Sequence, residues 1–141
     1  MAYAPITMTV KGQSWASVGT KTEAALHRAV GKAARNVIGK AKIDMATGVK
    51  TGRRSTRGKN KKKVHVASAP GESPARDLGV LINSLHTNHP SRLTAEITVV
   101  GYGVDLDQGI GIEARPWVRP AMDKAQPAFE ADVAAALAGG P

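Results

Sequence analysis

Residues 93–100, Leu-Thr-Ala-Glu-Ile-Thr-Val-Val, put Leu93, Ala95, Ile97 and Val99 on one side of an extended chain and Thr94, Glu96 and Thr98 on the other. Side chains alternate across a strand, so this is the clearest half-buried strand in the sequence. Its flanks supply candidate partners: 84–89 across a turn at His89-Pro90-Ser91, and a strand around 102–106 across Gly101. Residues 6–10 (Ile-Thr-Met-Thr-Val) alternate in the same way and read as a further strand.

Helical patterns lie on either side. Thr20 and Glu23 have capping-box spacing, in which the hydroxyl takes an N3 amide and the carboxylate reaches back. Leu26, Val30, Ala33, Val37, Ala41 and Met45 then recur at steps of three and four and trace one apolar face. Opposite it, Lys21, Arg28, Lys32, Arg35 and Lys42 fall within an arc of about 80°, a basic stripe. Gly31 and Gly39 each cost about 1 kcal/mol against Ala, so packing must hold this helix. Gly48 is its stop, and residues 11–19 form a loop before it. A short helix is predicted over 75–84, burying Leu78, Leu81, Ile82 and Leu85. Gly109, Gly111 and Ala114 keep 107–115 loop-like. In the last helix Pro120 suits the first turn, and Met122, Ala125, Phe129, Val133 and Leu137 run at three and four. Pro127 is expected to kink that helix or split off its first turn.

Strands grouped between helices indicate an α+β fold. The expected architecture is a small antiparallel or mixed sheet packed against a long N-terminal helix and a C-terminal helix, with a long basic loop. The chain reads as a single domain, 1–141, in which 47–67 is a flexible basic loop. Hydrophobic residues make up 42% and charged residues 22%, ordinary for a globular fold, but aromatics only 4%. The core is therefore left to Ala, Val, Leu and Ile. The absence of Cys excludes a disulfide framework and thiolate chemistry. No apolar run approaches the roughly 20 residues of a membrane span, so no membrane partner is expected. The opening Met1-Ala2-Tyr3-Ala4-Pro5 lacks the features of a signal peptide.

The net charge of +9 is unevenly placed. Eight bases and no acid lie between residues 50 and 63: Lys50, Arg53, Arg54, Arg57, Lys59, Lys61, Lys62 and Lys63. The remainder holds twelve bases against eleven acids. The protein is a near-neutral domain with one basic segment. Like charges so close repel, so the segment is expected to be mobile as a solvated loop. Its functional reading is phosphate contact without sequence readout. No aromatic interleaves the bases, so stacking on single strands is not supported.

Enzyme motifs are missing. Asp105 and Asp107 would share a strand face, but no third acid completes a metal-dependent nuclease, and they read as surface carboxylates. His86 and His89 are spaced as a metal pair only for a helix, where a strand and turn are expected. Ser14, Ser17, Ser55 and Ser84 lack a nucleophile elbow. Gly101-Tyr-Gly103 and Gly109-Ile-Gly111 are too short for a dinucleotide fingerprint. No catalytic residue, metal or cofactor is expected.

Two stretches carry a resemblance. Ser68-Ala-Pro-Gly-Glu-Ser-Pro-Ala-Arg-Asp-Leu-Gly-Val-Leu-Ile-Asn-Ser-Leu85 and Ala114-Arg-Pro-Trp-Val-Arg-Pro-Ala121 resemble the head–tail joining (neck or tail-completion, tail-terminator-like) proteins of long-tailed bacteriophages. That family shows a Pro-Gly-Glu-Pro-Pro-like turn, a Thr-Gly-x-Leu-x-x-Ser-Ile-like short helix, and Ala-Arg-Pro-Phe-Leu-Arg-Pro-Ala before the last helix. Here Leu78-Gly79 stands in place of its Thr-Gly. The resemblance covers roughly residues 20–138, and its most specific part is the Arg-Pro string.

The resemblance implies a non-enzymatic virion protein that forms a homo-oligomeric ring, of six subunits or alternatively twelve. It would lie between the connector or stopper and the tail-tube proteins, around the channel through which genomic DNA passes, and assemble in the host cytoplasm. The eight bases of 50–63 are then expected to face the lumen or an acidic neighbour, with Arg28, Lys32, Arg35 and Lys42 as a second basic surface. The alternative is a small basic nucleic-acid-binding protein without sequence specificity. Within the Arg-Pro motif, Pro116 and Pro120 stiffen the approach to the last helix. Arg115 and Arg119 can pair with carboxylates. Val118 reads as core, whereas Trp117 suits the core and an interface equally.

Overall fold

The computed structural model describes residues 3–9, 19–76 and 79–139. The chain is α+β. Strand β5 (Thr94–Val100) is the centre of a three-stranded antiparallel sheet, flanked by β1 (Tyr3–Thr9) and β4 (His86–Ser91). Ile97 pairs with Ile6 on one side and with Thr87 on the other. The alternation read from the sequence holds: Ala95, Ile97 and Val99 are fully buried. The turn between β4 and β5 is at Arg92 and Leu93, beyond the expected His89-Pro90-Ser91, because Ser91 already pairs with Thr94.

Helix α1 (Thr20–Thr47) has 28 residues, about 42 Å of rise. All six residues of its expected apolar face are buried. Its beginning differs from expectation. Gly19 is the N-cap, Thr20 lies in the first turn, and no side chain caps it. Glu23 pairs instead with Arg92 at 2.8 Å. The stop at Gly48 is as read.

Helix α4 (Val118–Leu137) packs along α1. Lys32 reaches Asp132 at 2.9 Å and Lys124 reaches Asp44 at 2.6 Å, so the helices run antiparallel. Their seam is alanine-rich: Ala25, Ala34 and Ala41 on α1 and Ala121, Ala125 and Ala136 on α4 are all buried. With few large side chains available, close approach of backbones supplies the contact area. The helix continues through Pro127, and Leu137 is exposed.

Two further expectations change. Residues 101–108 form helix α3 (Gly101–Gln108), not a strand. Tyr102, Val104 and Leu106 alternate, but the buried position is Gly103, which packs directly on Val99 and Leu81. The helix of 75–84 shortens to α2 (Val80–Asn83), because Gly79 takes a left-handed φ of 78° and a helix can start only after it. Leu81 and Leu85 are buried as expected; Leu78 lies outside the described residues, as do Val10 and residues 11–18.

The basic segment is structured. Strands β2 (Arg54–Arg57) and β3 (Lys63–Val66) pair antiparallel around a 3-10 turn at Lys59–Lys61. The expected loop over 47–67 is therefore largely a β-hairpin. Arg57 and Lys63, although like charges, sit directly opposite each other at its far end.

Candidate nucleic-acid interface

A lone two-stranded hairpin is marginal in water, and this one has like charges across it. Its stability must come from its roots. There Gly52 N–H donates to Ala67 O at 2.9 Å and Ala67 N–H donates to Arg53 O at 3.0 Å. Gly52 is required: a Cβ on it would lie 2.6 Å from Ala67 O.

A second tie comes from the Pro-Gly-Glu turn. Ala69-Pro-Gly-Glu72 closes with Glu72 N–H donating to Ala69 O at 3.1 Å, and Gly71 takes a φ of 84°, as the third residue of a type II turn must. The turn aims the Glu72 carboxylate at both roots. It accepts the Thr51 hydroxyl at 2.6 Å, the Thr51 N–H at 2.9 Å and the Ala69 N–H at 2.9 Å. These bonds, that of the Thr51 hydroxyl first, hold its carboxyl below the usual range.

The third tie joins the two stretches that carry the resemblance. Arg115 Nε donates to Ser68 O at 3.2 Å, and Gly71 N–H donates to Ala114 O at 2.9 Å. Arg115 Nη1 also donates to Glu113 O at 2.9 Å. Arg115 thus binds backbone carbonyls rather than the carboxylate expected of it. Arg119 does find one, Asp123, at 2.9 Å on the exposed face of α4.

The eight bases divide. Lys50 is not on the hairpin: its ammonium donates to Ser73 Oγ at 2.8 Å and Asp44 O at 3.3 Å. Partial burial lowers its pKa, against the raising effect of Glu72 and Asp44. The other seven (Arg53, Arg54, Arg57, Lys59, Lys61, Lys62 and Lys63) are exposed. Opposed residues share a face, so Arg54, Thr56, Val64 and Val66 lie on one side and Ser55, Arg57, Lys63 and His65 on the other. Lys59, Lys61 and Lys62 surround the tip, where Gly58, Asn60 and Lys61 have positive φ. Strands of four residues span about 13 Å, so seven cations occupy a short, narrow ribbon.

No acid lies between Asp44 and Glu72 in the sequence; the Asp44 carboxylate pairs with Lys124 of α4, and that of Glu72 is engaged at the root. The ribbon's own stretch of sequence therefore brings no carboxylate to its seven cations. Duplex DNA carries one charge per about 1.7 Å of axis, which suits such a density without base readout.

The second basic surface is less uniform. Lys32 is paired with Asp132 and Lys42 is half-buried, while Arg28 and Arg35 are exposed. Trp117 is in the core: it is 1% exposed, and its Nε1 donates to Gly103 O at 2.8 Å. Val118 packs against that core. Pro120 sits in the first turn of α4.

Asp105 and Asp107 lie on a helix, where two residues apart they do not share a face. Asp107 is occupied by the backbone of Trp117 and Val118. His86 shares a face of the sheet with Thr98, whereas His89 contacts His27 on α1. No group of three metal-ligating side chains occurs among the described residues, and no helix among them is long and apolar enough to cross a membrane. The one sequence signal for the role of Glu72 is its position as the first acid after the run of bases.

Comparison with protein-family models, with curated proteins and with solved structures gives no match to this chain.

Proposed function

We propose that this protein is a structural, non-enzymatic subunit of the head–tail interface of a tailed bacteriophage. Copies of it close into a ring of six, or alternatively twelve, between the connector or stopper and the tail tube, around the DNA channel of the virion neck. Assembly takes place in the host cytoplasm. The observation that carries the reading is the basic hairpin. Seven exposed cations sit on a ribbon whose root is bonded to both stretches that resemble the head–tail joining proteins. A ribbon whose cations can contact phosphates suits DNA that passes through regardless of its sequence.

The test replaces the seven hairpin bases by Ser. The expected variant folds and forms rings, but head–tail joining or genome retention fails. Full infectivity overturns the reading. Tight, salt-dependent DNA binding by a wild-type chain that stays monomeric supports instead a small nucleic-acid-binding protein without a virion role.

A further inference from the structure

His27, Gly31 and Arg35 follow one another at intervals of four on α1, so they form one ridge on its surface. Gly31 leaves the middle of that ridge without a side chain, and two heads close over it. A Cβ on Gly31 would lie 3.3 Å from Nη1 of Arg35 and 3.3 Å from Cε1 of His89 on β4. The guanidinium and the imidazole therefore lie within twice that distance of each other.

The His27 ring backs this pair, with its centroid 5.3 Å from that of His89. His27 Nδ1 is 2.5 Å from the Arg92 carbonyl oxygen. A carbonyl oxygen only accepts, so Nδ1 carries the proton and donates, and the bond fixes the ring. Arg35 has no hydrogen bond or ion pair among the described residues. Both acids of α1 are taken: Glu23 by Arg92 and Asp44 by Lys124. Strand β4 carries none.

An exposed guanidinium and an imidazole that converge with no carboxylate bonded to either among the described residues form a donor set for a tetrahedral oxyanion. The planar fork of Arg can donate to two oxygens in parallel, and an imidazole N–H to a third. We propose that Arg35 and His89, closing over Gly31 and positioned by His27, form a phosphate-binding site. It lies where β4 meets α1, about 26 Å along that helix from the hairpin root at Gly48, and does not depend on the ring reading.

The test follows the imidazole NMR signals of His27 and His89 while inorganic phosphate is added. Wild type is compared with Arg35→Gln, Gly31→Leu and Gly39→Leu. Gly31→Leu keeps every charge but drives a side chain between the two heads. Gly39 has open space around it, so Gly39→Leu controls for loss of a helix glycine. The expected result is saturable shifts in wild type and Gly39→Leu, with affinity at least about tenfold lower in Arg35→Gln and Gly31→Leu. If Gly31→Leu fails to fold, Arg35→Gln and His89→Gln carry the comparison. No saturable shift in wild type, or unchanged affinity in the folded variants, overturns the site. A short DNA duplex added to the chain lacking the seven hairpin bases identifies the source. The same ring shifts assign a nucleic-acid backbone; a response to inorganic phosphate alone assigns the free ion.

Discussion

Asp107 of α3 holds the start of α4 by accepting the backbone N–H of Trp117 at 2.8 Å, and the same oxygen accepts the N–H of Val118 at 2.9 Å. The first donors of a helix have no partner within it. Trp117, at the N-cap, has no side-chain oxygen to offer. A carboxylate from another helix replaces the missing cap, with its charge at the positive end of the α4 dipole. The contact also seats Trp117, whose ring nitrogen reaches back to Gly103 on α3.

Removing that cap weakens the join between α3 and α4. Asp107→Ala is expected to lower the unfolding free energy by about 1–2 kcal/mol, and Asp107→Asn by less, since the amide keeps an acceptor oxygen. Urea denaturation monitored by Trp fluorescence reads both. Equal stability of Asp107→Ala and wild type rules out the capping role.

Gly103 admits no side chain without rearrangement. A Cβ there would lie 2.6 Å from Val99 Cγ2 and 2.7 Å from Leu81 Cδ1, both on buried side chains. Gly103→Ala should therefore destabilise by about 1–3 kcal/mol despite the better helix propensity of Ala. Differential scanning calorimetry measures it, and a raised Tm would contradict the packing described.

The hairpin root should loosen in acid. The carboxyl of Glu72 titrates lower in the folded chain than when unfolded. Its contribution is thus full above the ordinary Glu value, about 4.3, and is lost as pH falls through the lower folded value. Hydrogen-exchange protection of the Thr51 and Ala69 amides should fall over that window. Glu72→Gln should show reduced protection already at neutral pH. Protection independent of pH and of this substitution would exclude the clasp.

Lys50 and Lys62 should behave differently although both belong to one run of bases. Lys50→Ala loses bonds to Ser73 and Asp44 and should destabilise the fold by about 1 kcal/mol. Lys62→Ala should leave stability within about 0.5 kcal/mol. In a DNA-binding titration against salt, Lys62→Ala should reduce the slope by about 1 and Lys50→Ala should not. Denaturation curves and fluorescence anisotropy separate the two effects.

The sites most exposed to misreading are those whose local pattern fits two structures. Residues 102–106 alternate like a strand, yet Gly103 lets them wind against Val99 and Leu81. Thr20 and Glu23 have capping-box spacing, yet Arg92, far along the chain, takes the carboxylate of Glu23. The hairpin has little apolar patterning and unfavourable charge, and it forms because Gly52 and Glu72 tie its roots.

By itself the sequence determined the α+β class, the buried face of α1, the alternation of β5 and the gathering of charge between residues 50 and 63. Those are periodic or compositional properties, written in residues a few positions apart. Tertiary structure alone decided that the basic run folds back as a ribbon, that Asp107 caps α4, that Ser68 meets Arg115, and that Arg35 and His89 converge over Gly31. Each of these joins groups that no local repeat connects. Their hydrogen bonds and close approaches exist only once burial of the shared core has brought the segments together.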